Sequence, residues 1–146
     1  MLYLEKTYNC KENKMEEGVI NMQRQVMNIG LLGLGTVGSG VLQLITNNRW
    51  EITAKTGVKT QVTKALVRSL DKERPILNQY KNTGLELTTD PAEILNDPDI
   101  DIVVEVMGSV KTAKDYISQA LKNGKYVVTA NKDLIAQHGY ELFTLA

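Results

Sequence analysis

Apolar and polar positions alternate along the chain in blocks that predict strands and helices in turn. Short apolar runs predict strands at 28–32, 61–67, 85–88, 101–107 and 125–129. Helical spacing predicts helices at 36–46, within DPAEIL after Asp90, at 111–123, and at 133–146 with an interruption at His138–Gly139. The run at 101–107 is apolar except for Glu105, which is typical of a strand covered on both faces.

Strands that alternate with helices predict right-handed crossovers and an α/β fold, with a doubly wound, mostly parallel sheet in a single domain. Residues 27–146 carry this alternation. Residues 1–26 are polar, have no apolar period, and are expected to form a flexible N-terminal extension.

The composition of the chain limits the classes of partner and the cellular location that can be expected. The 146 residues include 17 Lys and Arg against 17 Asp and Glu, so the net charge predicts neither nucleic-acid nor membrane binding. No apolar run approaches the roughly 18 residues of a membrane span, and the charged N-terminus is unlike a signal peptide. The single cysteine, Cys10, excludes an internal disulfide framework and a Cys-rich metal site, and it favours a reducing, cytoplasmic location.

The sequence GLGTVG at 33–38 follows a predicted strand and opens a predicted helix. In that setting Gly33 permits a tight turn, Gly35 lets backbone approach a pyrophosphate, and Gly38 allows close packing of helix on sheet. The backbone N–H groups of 34–37 would then face the anion at the positive end of the helix dipole. The motif therefore predicts a Rossmann-type dinucleotide site; the alternative is a glycine-rich turn that merely packs.

Arg68 directly follows the second predicted strand, with Lys72 and Arg74 close behind. An NAD site usually has an acidic residue here, whereas a guanidinium suits the 2′-phosphate of NADP. We therefore expect NADP to be preferred over NAD. The alternative is that Arg68 is a solvated charge and Asp71 takes the acidic role.

Two further segments, EVMGS at 105–109 and VVTANKDLIA at 127–136, accompany GLGTVGSGV and LVRSLDKER. With these segments, residues 27–146 resemble the N-terminal NAD(P)-binding domain of homoserine dehydrogenase. The resemblance implies an oxidoreductase that interconverts two small molecules, L-aspartate 4-semialdehyde and L-homoserine, in threonine and methionine biosynthesis. It also implies that the full-length enzyme is a homo-oligomer.

Carried onto this chain, the resemblance implies roles for individual residues. Backbone around Gly35, Thr36 and Val37 would hold the pyrophosphate, and Arg68 would face the adenosine phosphate. The residues implied near the nicotinamide ribose are Gly108, Ser109, Thr129 and Ala130. Lys132 would be the active-site lysine, hydrogen-bonding the carbonyl oxygen or assisting proton transfer. Without the resemblance, Lys132 is equally well interpreted as a surface lysine that begins a helix.

The chain departs from the family pattern in two respects. It has Gly108–Ser109 where the family usually has two glycines, although serine can still cap the next helix. The chain also ends in the helix after TANK, whereas the family continues into a second domain with substrate-binding carboxylates, another catalytic lysine and the dimer interface. We therefore expect this polypeptide to bind cofactor without efficient turnover.

Other polar residues are assigned structural roles. We expect His138 to face solvent rather than a metal, and 97–101 to be a polar turn rather than a Ca²⁺ loop. Glu105 must be paired, exposed at an edge or close to a ligand, and the sequence leaves these three open. Trp50 is expected to pack, and Lys111, Lys114, Lys122 and Lys125 are expected to be solvated.

Two other functions remain open alongside homoserine dehydrogenase. The same cofactor domain could belong to another semialdehyde or imine reductase. A stand-alone NAD(P)-binding module that senses or sequesters cofactor is the alternative outside enzymology, since a fold of this kind supports many functions.

Overall fold

The computed structural model describes residues 2–4, 26–80 and 83–146. Its strands are β1 (Leu2–Leu4), β2 (Val26–Leu32), β3 (Lys59–Leu66), β4 (Glu86–Thr88), β5 (Ile102–Glu105) and β6 (Tyr126–Thr129). Its helices are α1 (Thr36–Asn47), α2 (Arg49–Thr56), α3 (Pro75–Gln79), α4 (Ala92–Leu95), α5 (Val110–Lys122) and α6 (Lys132–Leu145). Of the predicted flexible extension, residues 1 and 5–25 lie outside the described residues.

The strands form one sheet in the order β1-β6-β5-β2-β3-β4. The five strands from β6 to β4 are parallel, as the alternating pattern predicts. At the edge, β1 pairs antiparallel with β6 through Leu2 and Thr129, a strand that the polar N-terminal pattern does not predict. The chain order reverses between β2 and β5, and a parallel α/β sheet binds ligand in the crevice outside the carboxyl ends of strands at such a point.

Successive strand residues point to opposite faces and supply two separate cores. Leu31 and Val104 lie in one core, which α1 and α3 cover. Leu32 and Val103 lie in the other, which α4, α5 and α6 cover. Helices on both faces of a parallel sheet confirm the predicted doubly wound α/β fold.

The junction of β2 and α1 is unusually close. Gly33 has a φ of +108°, a conformation that side chains rarely adopt. A Cβ atom at Gly38 would lie 2.0 Å from the Gly33 carbonyl oxygen. Glycine at both positions therefore lets α1 begin directly at the carboxyl end of β2, and this is the close packing that the motif predicts for Gly38.

Helix α2 was not predicted, because none of its side chains is buried and its sequence carries no apolar period. Its end is marked by Gly57, which adopts a left-handed conformation with a φ of 72°. The expectation that Trp50 packs is wrong, since the indole in the first turn of α2 is 82% exposed.

The predicted interruption of the last helix is also wrong, since α6 runs unbroken from Lys132 to Leu145. Gly139 is buried within it, and a Cβ atom there would lie 3.3 Å from Cγ2 of Ile135. The side chains around this position therefore pack so closely that glycine fits there better than a larger residue. The neighbouring His138, expected to face solvent, is half-buried.

Lys125 is buried rather than solvated, with 5% of the residue exposed. Its Nζ donates to the carbonyl oxygens of Asp97 and Ile100, the latter at 2.7 Å. Burial lowers the pKa of Lys125. The same turn is held from β3, where Lys64 Nζ lies 2.8 Å from Oδ2 of Asp97. The acidic segment 97–101 is thus a turn held by two lysines, at the end of the sheet opposite the strands' carboxyl ends.

The close approach of α1 to its preceding turn predicts different effects at two glycines of the same helix. Gly38→Ala should lower the free energy of unfolding by at least about 2 kcal/mol, because the new methyl group meets backbone. Gly40→Ala is the matched control: no atom of the described residues outside the helix's own backbone lies within 4 Å of a Cβ there, and alanine should stabilise the helix by up to about 1 kcal/mol. Urea unfolding of the three proteins measures both effects. Equal stability of the two variants would contradict the packing account.

The Lys64–Asp97 pair predicts a pH-dependent stability. The hydrogen bond from Lys64 lowers the pKa of Asp97, so the paired carboxylate stabilises the fold at neutral pH and loses this effect as pH falls through the depressed pKa. Asp97→Asn should lower the free energy of unfolding by about 1 kcal/mol at neutral pH. The difference should shrink as the pH falls below the ordinary aspartate pKa of about 3.9 and be lost once the carboxyl of the folded protein is protonated. Urea unfolding across this range tests the pair, and a pH-independent difference would refute it.

Candidate functional site

A cleft of about 560 Å³ opens at the carboxyl ends of the strands, beside the start of α1. We call it the larger cleft. It is lined by Gly33, Leu34, Gly35, Leu66, Val67, Arg68, Ser69, Lys72, Arg74, Thr89, Val106, Met107, Ser109, Thr112 and Tyr116. Its volume lies within the range of small-molecule and cofactor sites.

The N-terminus of α1 faces this region, and no acidic side chain in its first turn offsets its partial positive charge. Gly35 is the N-cap residue, and no side chain in the described part of the chain caps the helix. The first N–H groups of a helix have no intrahelical acceptor, and the dipole adds partial positive charge there. The backbone of Thr36 and Val37 therefore offers donors to an anion.

Gly35 differs from the two glycines that pack around it. Its φ of −84° is accessible to any residue, and no atom of the described chain lies within 4 Å of a Cβ built there. The fold itself therefore does not require glycine at this position. Open space at a helix N-terminus is the geometry that lets a pyrophosphate approach the backbone.

The opposite end of the larger cleft is basic. Arg68, Lys72 and Arg74 line it, and no carboxylate is among its lining residues. Arg74 also fixes the loop after β3, because its Nη1 donates to the Lys72 carbonyl oxygen and its Nη2 to that of Ser69, both at 2.8 Å. Asp71, the acidic alternative, is exposed and does not line the cleft. The electrostatics favour a ligand with a second anionic group.

A second cleft of about 240 Å³ lies on the other side of the α1 N-terminus. We call it the smaller cleft. It is lined by Val37, Glu105, Val106, Gly108, Ala130, Asn131, Lys132 and Asp133. Val106 lines both clefts, so the two are adjacent across the end of β5.

Lys132 reaches the smaller cleft as the first residue of α6. Asn131 caps this helix, since its Oδ1 accepts from the Leu134 N–H at 3.1 Å. The Lys132 side chain remains exposed, so its ammonium is available to a ligand. Nδ2 of Asn131 is buried and has no hydrogen-bond acceptor within the described part of the chain. The smaller cleft is thus lined by an exposed cation and by the residue that caps its helix.

Glu105, for which the sequence left three alternatives, is fully buried and paired within the sheet. It accepts hydrogen bonds from the Met107 N–H and the Thr129 hydroxyl. It also lines the smaller cleft. A paired carboxylate close to a possible ligand therefore combines two of the three alternatives.

The structure brings most of the predicted site residues together. The larger cleft includes Gly33, Gly35, Arg68 and Ser109, and the smaller cleft includes Val37, Gly108, Ala130 and Lys132. Three predicted residues line neither cleft: Gly38 and Thr129 are buried beneath them, and Thr36 is exposed in the first turn of α1.

Ser109, where the chain departs from the family's usual glycine, is the N-cap residue of α5. Its hydroxyl donates to Oγ1 of Thr112 at 3.2 Å instead of capping a backbone N–H. Gly108 before it has a φ of +79°, with open space around a Cβ. The turn therefore keeps one glycine next to the smaller cleft and turns its serine toward α5.

Several cleft residues were not predicted as site residues. Thr89 follows β4, and Thr112 and Tyr116 lie in the first half of α5. No local motif marks them, because they reach the cleft only through the strand order. Asn131 lies inside the TANK segment, and its position before a predicted helix is the signal that could have identified it as a cap.

Two further properties concern the described residues as a whole. No group of three or more His, Cys, Asp and Glu side chains among them is arranged to hold a metal ion. None of the helices in residues 26–80 and 83–146 has the length and apolar character to cross a membrane.

Comparisons with known proteins agree on one family. The family model described as "Homoserine dehydrogenase, NAD binding domain" matches residues 33–146. Homoserine dehydrogenase of Bacillus subtilis is 42% identical over 122 residues, which are 84% of this chain and 27% of that protein. The chain therefore spans about a quarter of the length of the curated relatives it matches.

Solved structures show the same likeness in three dimensions. Staphylococcus aureus homoserine dehydrogenase is 47% identical, with a TM-score of 0.77 over 85% of this chain and 30% of that chain. A hyperthermophilic archaeal homoserine dehydrogenase, solved in complex with NADPH, is 27% identical, with a TM-score of 0.64 over 84% of this chain and 41% of that chain.

Proposed function

This chain belongs to the family of homoserine dehydrogenase NAD-binding domains, and on that premise we propose that residues 27–146 bind NADP or NAD for the interconversion of L-aspartate 4-semialdehyde and L-homoserine. The observation that carries the proposal is the larger cleft. Among the residues that the structure describes, it joins a helix N-terminus without a side-chain cap to three cationic side chains, and its lining contains no carboxylate. A dinucleotide with its pyrophosphate between two ribosyl halves matches that distribution of charge.

The two clefts suggest how the cofactor is divided. The pyrophosphate would lie at the N-terminus of α1, where Gly35 leaves the backbone accessible. The adenosine half would extend into the larger cleft toward Arg68, and the nicotinamide half into the smaller cleft, between Gly108 and Lys132. The shared residue Val106 is consistent with one ligand spanning both.

We propose NADP as the preferred cofactor. Its 2′-phosphate adds negative charge to the adenosine end, where Arg68, Lys72 and Arg74 line the cleft. Guanidinium groups bind phosphate through paired, charge-assisted hydrogen bonds. The position of Asp71 outside the lining removes the carboxylate that would otherwise favour the free ribose hydroxyl.

The smaller cleft supports the chemical step. When bound, the reduced nicotinamide supplies a hydride for conversion of the aldehyde to the alcohol. Lys132 can hydrogen-bond the carbonyl oxygen of the small-molecule substrate, stabilise negative charge that develops on that oxygen, or transfer a proton to it. A fixed cation of this kind contributes most where water is excluded.

We also propose that the enzyme to which this domain belongs is a homo-oligomer and works in the cytoplasm. The first proposal follows from the resemblance to homoserine dehydrogenase. The second is supported by the single cysteine of the chain.

Cofactor titrations test the proposal that Arg68 binds the 2′-phosphate of NADP. The unmodified chain should bind NADPH more tightly than NADH. Arg68→Ala should weaken NADPH binding about tenfold and leave the affinity for NADH unchanged. Arg49→Ala, at an exposed arginine on α2 away from both clefts, is the matched control and should bind both as before. Cofactor fluorescence or calorimetry gives the dissociation constants. If neither nucleotide binds the folded chain, the proposed function fails.

Gly35 provides a test that separates function from folding. Gly35→Ser should leave stability within about 0.5 kcal/mol, because serine is a good N-cap and the position is open. The added side chain would occupy the space of the pyrophosphate, so NADPH binding should weaken by at least about tenfold. Thermal unfolding and titration of the same preparation measure both. Unchanged affinity would show that the pyrophosphate lies elsewhere.

A further inference from the structure

A fully buried carboxylate lies in the sheet beneath the smaller cleft. Glu105 is the last residue of β5, and its exposure is 0%. Its Oε1 accepts from the Met107 N–H at 2.7 Å, and its Oε2 accepts from the Thr129 hydroxyl at 2.6 Å. Burying such a group is costly unless both oxygens are satisfied, and here two donors satisfy them.

One donor, Met107, lies in the turn after β5, and the other, Thr129, is the last residue of β6, next to the turn that begins α6. Met107 immediately precedes Gly108, which has a φ of +79°. The Thr129 hydroxyl also accepts from the Asn131 N–H at 3.0 Å, so it connects the carboxylate to the turn that begins α6. The hydrogen-bond chain therefore runs from the Gly108 turn through Glu105 to the residue before Lys132.

This chain of hydrogen bonds lies where the regular sheet ends. Glu105 and Thr129 are the last paired residues of β5 and β6. Beyond them, the backbone contact is a 3.3 Å hydrogen bond from the Ala130 N–H to the Glu105 carbonyl oxygen. Side-chain hydrogen bonds with shorter distances therefore join the two turns at the point where strand pairing stops defining their separation.

We propose that Glu105 is a positioning residue that sets the separation of the Gly108 turn and the Lys132 helix start, so that the nicotinamide half of the cofactor fits between them. This inference rests on the proposed binding of NAD(P). Glutamate suits the role because its two oxygens accept from two donors at once. Glutamine offers one acceptor oxygen and one NH₂ group, so it can keep the hydrogen bond from the Met107 N–H only by reversing the one with Thr129, whose hydroxyl proton then loses its acceptor.

Binding of two different ligands distinguishes an effect of Glu105 on the smaller cleft alone from an effect on the stability of the whole domain. NADPH would occupy both clefts, whereas adenosine 2′,5′-bisphosphate carries only the groups assigned to the larger cleft. Glu105→Gln should weaken the binding of NADPH about tenfold and leave the affinity for adenosine 2′,5′-bisphosphate unchanged. Thr129→Val, which removes the hydroxyl that links the turns, should give the same selective loss. Glu86→Gln, at an exposed residue of β4, is the matched control.

A spectroscopic signature tests the hydrogen bonds without any ligand. In two-dimensional ¹⁵N–¹H NMR spectra of the labelled chain, the Met107 and Asn131 amide resonances should shift in Glu105→Gln. The Gly57 resonance, remote from the sheet end, should not. A merely structural role would instead produce shifts throughout the domain.

The possible results are distinguishable. Selective loss of NADPH binding in either variant supports the inference, and Thr129→Val carries the comparison if Glu105→Gln does not fold. Equal weakening of both ligands, or no effect on either, overturns it while leaving cofactor binding intact. If the unmodified chain binds neither ligand, the proposed function fails and this inference fails with it.

Discussion

The close contact between α1 and the turn before it is the constraint on which the rest of the site depends. A side chain at Gly38 would meet the Gly33 carbonyl oxygen at 2.0 Å, so the helix can approach the end of β2 only with glycine there. This approach places the helix N-terminus at the point where the strand order reverses. Both clefts open beside that N-terminus, and its unpaired N–H groups are the natural partners of an anion.

The two clefts differ in their chemistry because different elements supply them. Cationic residues after β3 make the larger cleft suitable for phosphate, and Arg74 holds their loop in place through two backbone carbonyl groups. The smaller cleft takes Gly108 and Lys132 from the turns after β5 and β6. Glu105 joins those turns from inside the sheet. In the proposed function, the larger cleft would therefore supply binding affinity and the smaller cleft the geometry of the reacting end.

The sequence predicts those features whose physical cause is local. A glycine motif between a strand and a helix defines the α1 junction, and an uninterrupted apolar run identifies β5 as a central strand. Arg68 at a strand end indicates the charge of the larger cleft. Each of these depends on residues within a short segment, where spacing and side-chain type carry the information.

Features that arise from contacts distant in sequence, or from an element that buries no side chain, were missed. The buried position of Lys125 depends on two carbonyl groups 25 and 28 residues earlier in the chain. Helix α2 buries no side chain, so it leaves no apolar period to detect. The role of Glu105 was undecided because its hydroxyl donor, Thr129, lies 24 residues away on the next strand. Only the strand order brings such groups together.

The central claim is that one dinucleotide spans both clefts across the N-terminus of α1. A crystal structure of the chain with NADPH tests this most directly. We expect the pyrophosphate at the backbone of Gly35 and Val37, the adenosine phosphate against Arg68, and the nicotinamide between Gly108 and Lys132. A cofactor ordered in one cleft with the nicotinamide outside the smaller one, or a pyrophosphate away from α1, would contradict the account.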